Sequence, residues 1–300
     1  MGTSIVPPPQ ESFSHDLVGL RQRIDQRLAA LLPVPGGESD LIGAAMVAAA
    51  LSPGKRVRPM LLVLAARELG APERSALDLG CALEMVHAAS LVLDDMPCMD
   101  DARLRRGEPT IHVRYGQDVA VLAVVGLLSQ AFKVVALAPG LPPAVRPRLV
   151  ALLGDAVGEQ GLVRGQFEDL HAGCGPREAS EVTGTNQLKT GALFGAALEM
   201  AALAASASES VLAALRDMAM ELGQAFQLYD DLCDGEPDAD PGKDQGKDTG
   251  KATLVALLGA EAARHRLRQH VQRVENLLEA VYGPESGLLY LLGTLFPRVG

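Results

Sequence analysis

Tryptophan is absent, and aromatic residues make up only 3% of the 300 residues. A surface built to stack nucleic-acid bases on aromatic rings is therefore not available. A net charge of −10 at pH 7 argues in the same direction, because a phosphate backbone needs a cationic partner. Nucleic acid is not an expected partner. The four cysteines, Cys81, Cys98, Cys174 and Cys233, show no CxxC spacing. They predict neither a zinc motif nor a disulfide framework, and a reducing, cytoplasmic location is the simpler expectation. No basic segment followed by an apolar one opens the chain, and position 6 is Val, so neither a signal peptide nor a myristoylation site is expected. The longest strongly apolar run, 119–128, is too short to span a bilayer, and no transmembrane segment is expected. No stretch alternates as a strand, no repeat is evident, and no linker is long enough to separate domains.

What is present is helix-forming. Hydrophobic residues make up 48% of the chain and charged residues 21%, with alanine and leucine abundant. Residues 1–12, with three consecutive prolines, read as a disordered tail. The remainder, 13–300, reads as one all-α domain. The pattern predicts helices over 15–32, with Ser14 as a cap, and over 40–51. Another opens at Pro59 and ends near Gly70, and a fourth covers 73–93. Further helices are predicted over 118–138, 144–170, 177–189, 191–205 and 208–232. A polar, turn-rich loop at 235–250 follows, and then two more helices.

Two acidic clusters stand at the ends of hydrophobic helical runs. The first, LDDMPCMDDARLRRG (93–107), carries Asp94, Asp95, Asp100 and Asp101; the second, YDDLCD (229–234), carries Asp230, Asp231 and Asp234. Asp230 and Asp234 are four residues apart and share a helix face, as do His87, Ser90, Leu91 and Asp94. Asp100 lies beyond Pro97 and can fold back toward Asp94. Clustered carboxylates repel one another unless a cation neutralises them. Their all-oxygen character suits a hard divalent ion such as Mg²⁺, which prefers few carboxylates together with phosphate oxygens. Each cluster taken alone would also read as a solvated helix end.

The cations add a second kind of anion site. Lys55, Arg56 and Arg58 share one loop; Arg105 and Arg106 follow the first cluster; Lys189 precedes Thr190; Lys243, Lys247 and Lys251 lie in or beside the polar loop. For Arg56, Arg103 and Lys247 a solvated surface charge is the favoured reading. No Ser–His–Asp or Cys–His arrangement points to nucleophilic catalysis.

Six motifs carry a family resemblance: GKRVRP (54–59), HAASLVLDDMPCMDDARLRRGEPTIH (87–112), RGQFEDL (164–170), LKTGALF (188–194), GQAFQLYDDLCD (223–234) and GKDTGKATLVALLG (246–259). Together they resemble the trans-polyprenyl diphosphate synthases, most closely the bacterial geranylgeranyl diphosphate synthases of carotenoid-type pathways. The resemblance implies a single-domain helical bundle of the isoprenoid-synthase type around a deep central cavity, usually as a homodimer. The implied reaction is head-to-tail condensation of isopentenyl diphosphate with dimethylallyl, geranyl or farnesyl diphosphate, here to the C20 geranylgeranyl diphosphate. It implies three Mg²⁺ ions, with Asp94 and Asp100 holding two and Asp230 with Asp234 the third. Asp95, Asp231 and Lys189 join the catalytic set. Isopentenyl diphosphate would meet Lys55, Arg58, His87 and Arg106. The allylic substrate would meet Arg105, Lys189, Thr190, Gln227, Lys243 and Lys251. Chain length would be set beside the helix leading into Asp94, at Ala89 and Ser90, with Met85 and Val86 further down.

Two other classes remain open at this point. A class I terpene cyclase also uses Asp-rich magnesium sites, but it needs no GKRVRP loop or His87 for a second diphosphate. A catalytically silent partner subunit would usually lose one cluster, and both are intact here.

Overall fold

The computed structural model describes residues 10–37, 39–171, 177–234 and 253–297. The chain begins with α1 (Gln10–Leu31), α2 (Leu41–Ala50), α3 (Val57–Glu68) and α4 (Glu73–Asp94). A small hairpin follows, β1 (Leu104–Arg105) with β2 (Glu108–Pro109), and then α5 (Ile111–Tyr115), α6 (Gln117–Ala136), α7 (Val145–Val157) and α8 (Leu162–Leu170). The second half holds α9 (Ala179–Asn186), a π-helical turn at Gln187–Gly191, α10 (Ala192–Ala204) and α11 (Glu209–Asp234). It ends with α12 (Leu254–Leu258), α13 (Ala260–Tyr282) and α14 (Gly287–Leu295).

The bundle forms around α4. Its buried side chains, among them Leu79, Leu83, Met85, Val86, Ala89 and Val92, lie on almost every side of the helix. It packs against α3 and α6 most extensively, and also against α1, α2 and α10. Burying each Leu- or Val-sized side chain contributes about 1.5–3 kcal/mol, so this helix is a main source of cohesion. Its polar residues are matched rather than exposed: Arg27 on α1 clamps buried Asp78 through two hydrogen bonds. On the opposite side α10, α11 and α13 pack in series, with Phe194, Leu215 and Leu228 fully buried.

The all-α expectation holds, with local corrections. α1 already begins at Gln10, inside the expected tail, so Ser14 lies within the helix and is not its cap. α3 opens two residues before Pro59. The expected helix over 144–170 is two helices, because Gly158 and Gly161 leave the helical region, with ψ −156° and φ −141°. No break separates the predicted 177–189 and 191–205 helices; the π turn joins α9 to α10. Three helices, not two, follow residue 253. One hairpin was not foreseen: Arg105 pairs with Glu108 around Arg106 and Gly107, whose φ values are 55° and 81°. Positive φ at both central residues makes a tight hairpin turn, for which glycine at the second position is well suited.

α4 and α6 are long and apolar enough to reach across a bilayer by length and composition alone, a test that core helices also pass. α4 is a core helix, with 72% of its most apolar window buried. α6 is buried along one face only, and presents Val121, Leu122 and Val125 outward.

Candidate active site

The site begins where α4 ends. His87, Ser90, Leu91 and Asp94 are half-buried on a helix whose other faces are packed, and their spacing puts them in one stripe. The chain then folds back on itself. Asp100 N donates to Asp94 O at 2.9 Å, Asp101 N to Met96 O, and Ala102 N to Asp95 O. Asp100 is thus returned beside Asp94, as its position beyond Pro97 predicted. Burial pushes the Asp94 carboxyl up to about 6, with Lys189 opposing the rise and Asp100 adding to it.

Asp95 points elsewhere. It is 3% exposed, and the Arg105 guanidinium grips it, Nε donating to both carboxylate oxygens at 2.9 Å and Nη2 to Oδ1 at 2.6 Å. Burial still pushes Asp95 up, against the pull of Arg105. The pair fixes Arg105 on the hairpin beside the acidic cluster, so Asp95 acts as an anchor for the cation predicted to meet the allylic substrate.

The facing wall is the π turn and α11. A side chain at Gly165 on α8 would collide with the backbone at Lys189, so only glycine allows α8 to come this close. Lys189 Nζ donates to Asp169 Oδ2 at 2.6 Å. Thr190 Oγ1 donates to Gln227 Oε1 at 2.9 Å, and Gln227 Nε2 donates to Asp231 Oδ1 at 2.8 Å. Single π turns inside helices often mark functional sites, and here one presents Lys189 and Thr190 side by side. Asp230 is exposed at the end of this wall, and its charge reaches Arg58. Asp234 closes α11, but its side chain lies outside the described residues, as do Lys243, Lys247, Lys251 and the whole 235–250 loop.

The third component is cationic. Arg58 lies 4.9 Å from the centre of the Phe194 ring and 5.8 Å from that of Phe226. Its Nη1 is 3.5 Å from His87 Nε2, and its Nε is buried with no partner. Burial pulls the Arg58 guanidinium down. Burial, then Arg58 and Arg106, pull His87 well below the usual histidine range, so its imidazole is neutral at pH 7. Lys55 is exposed on the loop before α3, three residues before Arg58. Arg106 Nη1 donates to the Pro53 carbonyl of the same loop. Cations gathered around a neutral histidine, one with an orphaned donor, are arranged for a polyanion.

The predicted chain-length residues divide. Ser90 lies on the open stripe, its Oγ donating to His87 O at 2.9 Å. Ala89, Met85 and Val86 are at most 1% exposed and belong to the core. One residue is a 100° turn of the helix, enough to carry Ala89 off the open face.

Sequence reasoning missed three groups. Arg56, read as a solvated charge, is buried and paired with Glu84 and Asp25. Glu84 was not singled out, although a carboxylate inside the apolar run CALEMV is itself a signal. Asp169, within the RGQFEDL motif, was given no role. Among the described residues no three His, Cys, Asp or Glu side chains form a ready metal cage. The carboxylates nevertheless fit a hard cation: they are oxygen-only, and Asp94 resists holding its bare charge.

Comparison with known proteins agrees with this geometry. The model of the polyprenyl synthetase family matches residues 40–282. A geranylgeranyl diphosphate synthase of Pantoea ananas is 56% identical over 259 residues, 86% of this chain and 85% of that protein. Among solved structures, an FPP/GFPP synthase from Zymomonas mobilis superposes with a TM-score of 0.86 at 35% identity, covering 97% of this chain and 100% of that one. A geranyltransferase from Helicobacter pylori, complexed with magnesium and isoprenyl diphosphate, also gives 0.86, at 27% identity over 97% and 99% of the two chains.

Proposed function

The chain belongs to the polyprenyl synthetase family, and from that premise we propose how its residues divide the work between two diphosphates. The activity is that of a prenyltransferase, condensing isopentenyl diphosphate with allylic diphosphates in the manner of a geranylgeranyl diphosphate synthase. The observation that carries the division is the separation of two chemistries on one helix. His87 sits among cations, and Asp94, two turns later, sits among carboxylates.

Lys55, Arg58, His87 and Arg106 bind isopentenyl diphosphate directly. Arg58 gives that diphosphate a desolvated guanidinium whose Nε lacks a partner. Asp94, Asp100, Asp230 and Asp234 would hold the Mg²⁺ ions, three in number, which when bound would neutralise charge on the departing allylic diphosphate. Arg105 and Lys189, with Lys243 and Lys251, meet the same diphosphate. Arg105 is held in place by Asp95 and Lys189 by Asp169. As the allylic C–O bond breaks, these cations stabilise the leaving group. Thr190 and Gln227, joined by a hydrogen bond, set oxygen lone pairs near the developing carbocation. The double bond of isopentenyl diphosphate attacks, and the released pyrophosphate takes the proton, which accounts for the lack of an evident protein base.

The active form is a cytoplasmic homodimer. Val121, Leu122 and Val125 are 46–56% exposed on α6, an apolar patch suited to a second copy. Incubating the purified protein with Mg²⁺, isopentenyl diphosphate and each allylic primer in turn tests the reading. The expected product is a C20 diphosphate. Release of a hydrocarbon or alcohol would indicate a cyclase, and no turnover with any primer would indicate a silent subunit.

A further inference from the structure

The loop between α2 and α3 turns through Arg56, whose φ of 52° lies in a region that L side chains seldom adopt. Its guanidinium is bound on two sides. Nε donates to Asp25 Oδ1 on α1 at 2.7 Å, and Nη1 donates to Glu84 Oε1 on α4 at 2.8 Å. The Arg56 and Glu84 side chains are 5% and 6% exposed, so each is a buried charge that depends on the other. Glu84 lies three residues before His87 on the same helix, α4. Its negative field also reaches Arg58.

The surroundings of Arg56 separate it from its neighbours. Lys55 is exposed and Arg58 faces His87. Arg56 lies between them with its charge already matched by two carboxylates. The far side of the loop is braced as well: Arg106 Nη1 donates to Pro53 O, and a side chain at Gly54 would crowd that same nitrogen at 2.7 Å. A buried, balanced guanidinium at a strained turn is placed to hold the turn, not to receive a ligand.

We infer that Arg56 and Glu84 are a positioning pair, locking the left-handed turn that aims Lys55 and Arg58 at the isopentenyl diphosphate and so setting affinity for that substrate without touching it. The inference rests on the assignment of Lys55 and Arg58 proposed above. Loss of Arg56 leaves Glu84 as a buried charge without its cation, and loss of Glu84 leaves Arg56 held by Asp25 alone, so that in either case the turn loses its brace on α4.

The test measures KM for isopentenyl diphosphate, KM for farnesyl diphosphate, kcat and Tm for the full-length protein and five variants. These are Arg58→Ala as reference, Arg56→Ala, Glu84→Ala, the Arg56→Ala/Glu84→Ala double variant, and Glu84→Gln, which keeps an acceptor for Nη1. Arg58→Ala should raise KM for isopentenyl diphosphate about tenfold or more. Arg56→Ala and Glu84→Ala should each raise it about tenfold while KM for farnesyl diphosphate stays within about twofold. The double variant should be no worse than the worse single, because the two act as a unit. Glu84→Gln should recover part of the loss, leaving KM for isopentenyl diphosphate about threefold above the parent and KM for farnesyl diphosphate unchanged, because a neutral acceptor holds the guanidinium less firmly than a carboxylate; that residual shift carries the test if the alanine variants do not fold, and its absence overturns the inference. Should Arg58→Ala show its effect while folded Arg56 and Glu84 variants only lower Tm, or raise both KM values alike, the pair is merely structural and the inference fails. If Arg58→Ala itself leaves KM for isopentenyl diphosphate unchanged, the substrate assignment fails first, and the inference with it.

Discussion

Lys189 and Asp169 meet at 2.6 Å across twenty residues of chain, while the charge of Lys189 also reaches Asp94 on the opposite wall. The lysine therefore belongs to two carboxylates, one that holds it and one that faces it across the reaction site. Asp169→Ala should release Lys189 from its position. The expected outcome is a loss of about tenfold in kcat, with Lys189→Ala losing about a hundredfold and the double variant little more than Lys189→Ala alone. Steady-state kinetics on the three variants checks this; a fully additive loss would show that Asp169 acts independently of the lysine.

Asp94 and Asp230 stand on different helices, α4 and α11, and the proposed metal sites need both. Asp94→Ala and Asp230→Ala should each reduce kcat by at least about a hundredfold, since each removes charge stabilisation that matters most as the diphosphate departs. Excess EDTA should abolish turnover and added Mg²⁺ restore it. Near-normal turnover in either variant would rule out the two-wall arrangement.

The Asp94 carboxyl, held up near 6, would give the proposed metal binding a pH dependence. A raised folded-state pKa means that the folded chain holds this proton more tightly than the unfolded chain does. As pH rises from about 4 through 6, Asp94 loses the proton and the metal-free fold loses stability. Mg²⁺ binds the ionised form, so its apparent affinity should fall as pH drops below 6, by up to about tenfold per pH unit for one proton displaced. Thermal melts with and without Mg²⁺ at pH 5 and pH 7.5 give the readout. The metal should raise Tm more at pH 7.5, and an equal shift at both values would contradict the role given to Asp94.

What could be read in the sequence was whatever a single helix determines. The seven-residue interval from His87 to Asp94 put both on one stripe by helical period alone, and that stripe is what α4 leaves open. The return of Asp100 to Asp94 followed from Pro97 ending the helix. What could not be read depends on distant partners. Arg56 is indistinguishable from a solvated cation until Asp25 and Glu84, 31 and 28 residues away, are brought to it. Asp169 needed the Gly165 contact with Lys189 to acquire a role. The break between α7 and α8 was missed although 158–161 reads GEQG, with no apolar side chain and two glycines that are themselves a break signal.

Ala89 and Ser90 are neighbours in sequence but lie in different environments, and the difference bears on the proposed control of chain length. Ala89 is 1% exposed in the core, whereas Ser90 lies on the open stripe one turn before Asp94. On the proposed reading, a product growing from Asp94 back along α4 would pass Ser90 before Ala89, Val86 or Met85. Ser90→Phe should place an aromatic ring in that path and shift the main product from twenty carbons toward fifteen, with Tm little changed. Ala89→Phe should instead overpack the core, losing about 1–3 kcal/mol of stability. Its surviving activity should keep the longer product. Product analysis by chain length together with thermal melts on both variants separates the two positions. If Ala89→Phe stays as stable as the parent and yields fifteen-carbon product, the core repacks readily and the gate lies at Ala89; if Ser90→Phe still makes mainly the twenty-carbon product, the open stripe of α4 does not limit elongation.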